Sequence, residues 1–365
     1  MSNSIGIYIH IPYCRSKCPY CDFFSKRGND TEYKNYLKIL TDKIINWGKK
    51  IDKPVDTIYF GGGTPSLIGD KNIADIIKCI KNCFDVDEKS EITIEVNPES
   101  AKHLDFENLY SVGVNRISIG LQSADKNELK QLGRIHSLKD AVDTIYLSKN
   151  AGIDNISLDV MLGISNQTDE SLIKTLEFIA NSGVKHISSY ILKLEENTFY
   201  YKNRDRYNFP DDETTSNFYL KTVNYLNKNG FVQYEISNFA VKGYESKHNL
   251  KYWNLDEYLG IGPAAHSFID GKRFYYDRSI EDFKNDIIID EGLGGDKEEF
   301  IMLKLRLKKG LNIGEYEKAF GKLSKDFFKK IELYTNSGFT EYKNNTLSFT
   351  PKGFLVSNNI ISDLI

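Results

Sequence analysis

Cys14, Cys18 and Cys21 stand at x3 and x2 spacing directly after an alternating run, Ile5-Gly6-Ile7-Tyr8-Ile9-His10-Ile11, that reads as a strand. Thiolates this close together suggest metal ligation. A disulfide framework does not fit, because five cysteines is an odd count and no secretory signal precedes them. Two chemistries remain open. Zinc would take the three thiolates with His10 or a distant histidine as fourth ligand of a closed site. A cubane 4Fe-4S cluster would bond three of its irons to the thiolates and leave the fourth open to a group that is not protein. Cys79 and Cys83, one helical turn apart, are expected to pack in the core.

Further candidates follow other strand-like runs. Gly61-Gly62-Gly63-Thr64-Pro65 would let a ligand approach bare backbone and offer it free N–H groups, or would simply make a tight turn. Glu95 could accept from ribose hydroxyls, and Arg134 could meet a ligand carboxylate. Singly, Glu95, Asp159 and Arg134 are also what a solvated strand end or an ordinary ion pair would give.

The elements that must position these residues alternate. Strand-like runs recur at Ile5–Ile11, Val55–Phe60, Glu91–Val96, Val114–Gly120, Asn155–Met161 and His186–Leu192. Helical spacing marks Tyr33–Trp47, Ile73–Phe84, Leu138–Asn150 and Ser171–Ser182. Six such units predict an α/β fold with a parallel, incomplete (β/α)6 barrel of the TIM type. The cysteines, the glycines, Glu95, Asn97, Gln122 and Asp159 all fall at strand ends, the rim where such barrels bind ligands. Later residues predict a strand at Val232–Ile236, an aromatic stretch at Lys247–Tyr258, and a turn-rich segment at Leu259-Gly260-Ile261-Gly262-Pro263. Helices follow over Lys297–Tyr334, then a hairpin over Phe339–Thr350 around Asn344-Asn345, a winged-helix-like order. Residues 1–215 are thus expected to form the barrel, 216–290 an extension of it, and 291–365 a smaller helical module.

Composition narrows the partners. With 40% hydrophobic and 27% charged residues the chain is an ordinary globular protein, and no apolar stretch reaches the length of a membrane span. A net charge of -3 argues against nucleic acid, and the terminal module is too weakly basic for a DNA-binding wing. An interaction or lid role suits that module better. Free thiols and the missing signal point to the cytoplasm.

Taken together, Cys14-x3-Cys18-x2-Cys21 and the glycines after the second strand resemble the radical S-adenosylmethionine (SAM) superfamily. The resemblance implies that SAM chelates the open iron and that reduction cleaves its sulfonium to a 5′-deoxyadenosyl radical. It extends along nearly the whole chain to the oxygen-independent coproporphyrinogen III oxidase family. The matching stretches are Tyr8-Ile9-His10-Ile11-Pro12-Tyr13-Cys14, Phe60-Gly61-Gly62-Gly63-Thr64-Pro65, Glu95-Val96-Asn97-Pro98, Ser118-Ile119-Gly120-Leu121-Gln122-Ser123 and Leu132-Gly133-Arg134-Ile135-His136. By this resemblance Tyr8, Gly62, Gly63, Thr64, Glu95, Gln122, Arg134 and Asp159 fall on SAM-site positions. Tyr20 falls where an aromatic ring flanks the adenine.

Two branches of that family differ just after the third cysteine. The decarboxylating branch has a further cysteine two residues on, and usually a longer leading segment; here Cys21 is followed by Asp22-Phe23, and Cys14 lies near the start. This chain is more similar to the HemW-type heme chaperones, which read Cys-Asp-Phe there and carry His-Asn-x-x-Tyr-Trp, matched by His248-Asn249-Leu250-Lys251-Tyr252-Trp253. Leu259–Ser267 also resembles that branch. The resemblance implies heme as a ligand, with His248 as axial ligand and Asn249, Tyr252 and Trp253 around it. It further implies heme-acceptor proteins and an electron donor for the cluster, and it leaves room for peripheral membrane contact and a homodimer. Oxidative decarboxylation of coproporphyrinogen III is the alternative, and a zinc-bearing regulator a third reading. One departure is Met161-Leu162-Gly163-Ile164-Ser165-Asn166-Gln167-Thr168, where relatives have Gly-Leu-Pro-Gly-Gln-Thr, which puts that loop's conformation in question.

Overall fold

A computed structural model describes residues 3–365. Each of the six expected strands forms: β1 (Ile5–Ile11), β2 (Val55–Gly62), β3 (Val86–Val96), β4 (Arg116–Gln122), β5 (Asn155–Leu162) and β6 (His186–Ile191). The period of two shows in β1. Ile5, Ile7, Ile9 and Ile11 are buried in the hydrophobic core, while Gly6, Tyr8 and His10 face the side chains of Thr57, Tyr59 and the glycines of β2. Helices Asp30–Gly48, Asp70–Cys83, Leu138–Asn150 and Asp169–Ser182 connect the strands, close to where helical spacing placed them. Cys79 and Cys83 pack against the core from the second of these.

The rest of the sheet departs from expectation. It has further strands β7 (Val232–Gln233), β8 (Asn238–Ala240), β9 (Tyr258–Ile261), β10 (His266–Ile269), β11 (Lys272–Tyr276) and β12 (Ile288–Leu293). The twelve strands run in the order β12-β11-β10-β9-β1-β2-β3-β4-β5-β6-β8-β7. The Leu259–Pro263 segment, expected as a turn, instead supplies β9, a seventh parallel strand beside β1. Gly260 makes this feasible, because a Cβ there would lie 2.3 Å from the His266 carbonyl oxygen. The strand expected over Val232–Ile236 ends at Gln233; Glu235 and Ile236 turn to meet the backbone of Leu307 and Arg306. The divisions expected at 215/216 and 290/291 run through the helix Asp212–Lys228 and through β12.

The terminal module follows the expected order. Helices Lys297–Arg306, Ile313–Phe320 and Lys325–Asn336 precede the hairpin β14 (Thr340–Lys343) and β15 (Thr346–Phe349), with β13 (Leu311–Asn312) paired on β15. Asn344 and Asn345 both take positive φ, 51° and 60°, as a two-residue hairpin turn requires. Among the described residues no helix is long and apolar enough to cross a membrane.

The helix Lys247–Asn254 closes the floor of the barrel. Its first two N–H groups, Lys247 and His248, each lie 3.1 Å from the Glu91 carboxylate on β3, which places a negative charge at the helix N-terminus. Gly6 on β1 leaves room for it: a Cβ there would fall 2.7 Å from Thr57 Oγ1 and 2.9 Å from Lys251 Cδ. Gly6→Ala is expected to destabilise the fold by about 1–3 kcal/mol through overpacking, read as a lower urea midpoint with an unchanged m-value.

Candidate functional site

The cysteine loop leaves β1 and returns to it. Lys26 N–H donates to Pro12 O at 2.9 Å and Cys14 N–H to Lys26 O at 3.0 Å, so residues 14–26 form a closed loop on the rim. The end of β2 is fastened to its base by Gly63 N–H to Ile11 O (2.8 Å) and Thr64 N–H to Tyr13 O (2.7 Å). A Cβ on Gly63 would stand 2.5 Å from Tyr13 O, and one on Gly62, at φ +106°, 2.4 Å from the His10 ring. These glycines therefore answer to steric need. The N–H groups expected to be free are engaged, that of Gly62 by the Glu95 carboxylate.

A continuous polar chain runs from this junction. Thr64 Oγ1 lies 3.5 Å from Cys14 Sγ and accepts from Asn97 Nδ2 at 3.0 Å. Arg134 donates to Asn97 Oδ1 at 2.7 Å and to the Tyr20 hydroxyl at 3.0 Å. Cys14, Cys18, Tyr20, Cys21, Gly62, Gly63, Thr64, Gln122, Arg134 and Asp159 line one cavity. Glu95 lines an adjoining one that shares Gly63, Thr64, Gln122, Arg134 and Asp159. Tyr8 lies further in, behind Gly61, and faces a second cleft. Asn97 was a strand-end residue in sequence; its double contact with Thr64 and Arg134 emerges only in three dimensions.

Cys14, Cys18 and Cys21 all line the cavity as free cysteines, the three-thiolate set that a cubane cluster takes on three of its irons. Burial pushes the Cys21 thiol up to about 11, so binding iron there must displace a proton. The cavity wall also presents polar atoms without a protein partner, Gln122 Oε1 and Arg134 Nε, with Gln122 held at φ +66°. Those atoms suit a polar ligand beside the cluster. Burial, and then the charge of Asp159, push the Glu95 carboxyl up to about 7, although Tyr59 donates to it at 2.8 Å. Burial also raises Asp159, which accepts from Ser118 at 3.1 Å.

The altered loop after β5 is closed by one of its own side chains. Gly163 takes φ +79°, and Gln167 Oε1 accepts from Gly163 N–H at 2.7 Å, closing the turn without the proline.

A second cleft, of about 640 Å³, opens between β1 and the strands β9–β12. Tyr8, Phe23, Tyr252, Tyr258 and Tyr275 give it aromatic walls, and His10, His266, Arg278 and Glu291 also line it. Phe23 lines the cysteine cavity as well.

The fold has counterparts among known proteins. The model of the radical SAM superfamily matches residues 8–179, and that of the HemN C-terminal domain matches residues 297–356. The heme chaperone HemW of Buchnera aphidicola subsp. Schizaphis graminum is 32% identical over 371 residues, covering 98% of this chain and 97% of the relative. The chain belongs to the HemW family. The Bacillus subtilis member is 30% identical, with 97% of each chain covered. Coproporphyrinogen III oxidase (HemN) from Escherichia coli shares the fold, with a TM-score of 0.85 at 19% identity over 99% of this chain and 90% of that one. The radical SAM superfamily carries a 4Fe-4S cluster and SAM, and the residues above fit both.

The His-Asn-x-x-Tyr-Trp residues of this HemW-family chain do not all line one cavity. His248 is fully buried, with Nδ1 2.8 Å from Thr57 Oγ1 and Nε2 2.8 Å from the Tyr252 hydroxyl. Both ring nitrogens are thus engaged by protein hydroxyls. Burial brings this imidazole down to about 3, so it is neutral, and its ring stacks on Tyr59 at 5.2 Å. Of the four residues, Tyr252 lines the second cleft; Asn249 and Trp253 line neither cavity. His248→Ala is expected to cost about 2–4 kcal/mol at neutral pH, from the void and two orphaned hydroxyls. Because the folded imidazole titrates below its ordinary 6.5, its contribution is complete above that value and declines as pH falls toward about 3. The stability gap between the two proteins should therefore narrow on acidification, as measured by denaturant midpoints.

Proposed function

We propose that this chain is a heme chaperone that binds heme, keeps a 4Fe-4S cluster with SAM, and delivers heme to acceptor proteins. The observation that carries this reading is the full-length likeness to HemW heme chaperones, together with Asp22-Phe23 after the third cysteine. Cys14, Cys18 and Cys21 would hold the cluster. Tyr20 would flank the adenine, Glu95 would take the ribose hydroxyls, and Gly62, Gly63, Thr64, Gln122, Arg134 and Asp159 would enclose the rest, with Tyr8 behind them. Acceptor proteins, an electron donor and a cytoplasmic setting belong to the same proposal. The decarboxylase reading has the shared fold of HemN and the match to its C-terminal domain behind it, but lacks the further cysteine after Cys21.

Anaerobic reconstitution tests the whole reading. Iron and sulfide should load at about four each per chain, and hemin should bind with a Soret shift, while coproporphyrinogen III with SAM and reductant should give no protoporphyrinogen. One zinc without sulfide, or no hemin binding, would overturn it.

Glu95 supplies a pH signature. Its carboxyl is raised to about 7, and both the ribose hydroxyls and the positive sulfonium of SAM favour the ionised form. SAM affinity should rise as pH climbs through about 7 and then level off, and Glu95→Gln should flatten the profile in calorimetric titrations of the reconstituted protein.

A further inference from the structure

His266 on β10 stands apart from the other ring-bonded histidines. His10, His186 and His248 have both ring nitrogens engaged by protein groups. His136 is buried, with Nε2 on the Leu121 carbonyl. The His266 side chain is 53% exposed and lines the second cleft. Its Nδ1 lies 3.1 Å from Glu291 Oε2 on β12, and its ring stacks on Tyr275 at 4.6 Å and 20°. A carboxylate accepting from Nδ1–H fixes the tautomer and turns the Nε2 lone pair outward, an arrangement seen in histidines that ligate metals. β11 lies between β10 and β12: its Tyr275 pairs with His266, and Glu291 falls at the bulge of β12 between the partners of Phe274 and Arg273.

The remainder of the cleft suits a flat, carboxylate-bearing macrocycle. Phe23 and Tyr252 supply aromatic walls, and Arg278 supplies a cation at the edge. Arg278 is half-exposed and reaches Asp22 with one terminal nitrogen, bonding the backbone oxygen and lying 3.5 Å from the carboxylate. Its other nitrogens remain available to a propionate.

We infer that His266 Nε2 is an axial ligand to heme iron in this cleft, with Glu291 orienting the imidazole and Arg278 pairing with a propionate. The inference rests on the heme-chaperone reading and moves the iron ligand from His248 to His266.

Titration of the full-length protein with hemin and with iron-free protoporphyrin IX tests it. His266→Ala should weaken hemin binding by at least about tenfold and move the Soret band, Glu291→Gln should weaken it by about tenfold, and both should leave protoporphyrin binding unchanged. Arg278→Gln should weaken both ligands, because both carry the propionates. An unchanged melting temperature of His266→Ala, a surface substitution, separates ligand loss from unfolding. Equal hemin affinity and spectrum in wild type and His266→Ala would overturn the assignment while leaving the chaperone reading intact. A wild-type protein that binds no hemin would overturn both.

Discussion

Two amide hydrogen bonds hold the rim together: Gly63 N–H to Ile11 O and Thr64 N–H to Tyr13 O. They fasten the end of β2 to the base of the cysteine loop, and they form at this closeness because residue 63 has no Cβ. Thr64 is thereby set against Cys14 and receives Asn97, which receives Arg134, which holds Tyr20. Loops from separate parts of the barrel thus form one network, each side chain fixed by the next. Such rigidity matters for a loop whose three thiolates must meet three corners of one cluster.

The floor of the barrel imposes a second constraint. Arg116 is fully buried, and a charge in that position must be compensated; Glu91 lies beside it. Glu91 also receives the N-terminus of the Lys247–Asn254 helix, which brings His248 under Tyr59. Tyr59 in turn donates to Glu95. The His-Asn-x-x-Tyr-Trp helix therefore acts on the cavity from below, through a ring stack and one hydroxyl. A histidine so placed acts on Glu95 through Tyr59, and its substitution would disturb that side of the site.

What was legible in the sequence followed from local rules. The alternation in Ile5–Ile11 and the strand-like runs of the five later strands could be read directly, because parallel strands covered by helices are rich in apolar residues. The turn at Asn344-Asn345 was readable from residue type alone. The cysteine loop and the rim positions were legible from order: chemistry placed after each strand must gather at one end of the sheet. β9 was not, since Leu259-Gly260-Ile261-Gly262-Pro263 has turn composition and becomes a strand only through pairing with β1 and the close approach of residue 266. The surroundings of His248 were hidden for a similar reason. A motif specifies residue types, whereas ring-nitrogen availability depends on Thr57, 191 positions away. His266 lay in a stretch already noted, but its carboxylate partner comes from β12, a strand with no strong signal of its own.

Phe23 joins these two levels. It is 68% exposed and lines both the cysteine cavity and the second cleft, so one aromatic ring is the partition between them. Its neighbour Asp22 is held by Arg278, the cation that faces the second cleft, and Phe24 O is bonded to His10 on β1. The segment that follows Cys21 is therefore anchored on both sides of that ring. Ligands in the two cavities would press on one short piece of chain, so any preference of the loaded cluster loop for one placement of Phe23 must appear reciprocally as a change in affinity in the cleft.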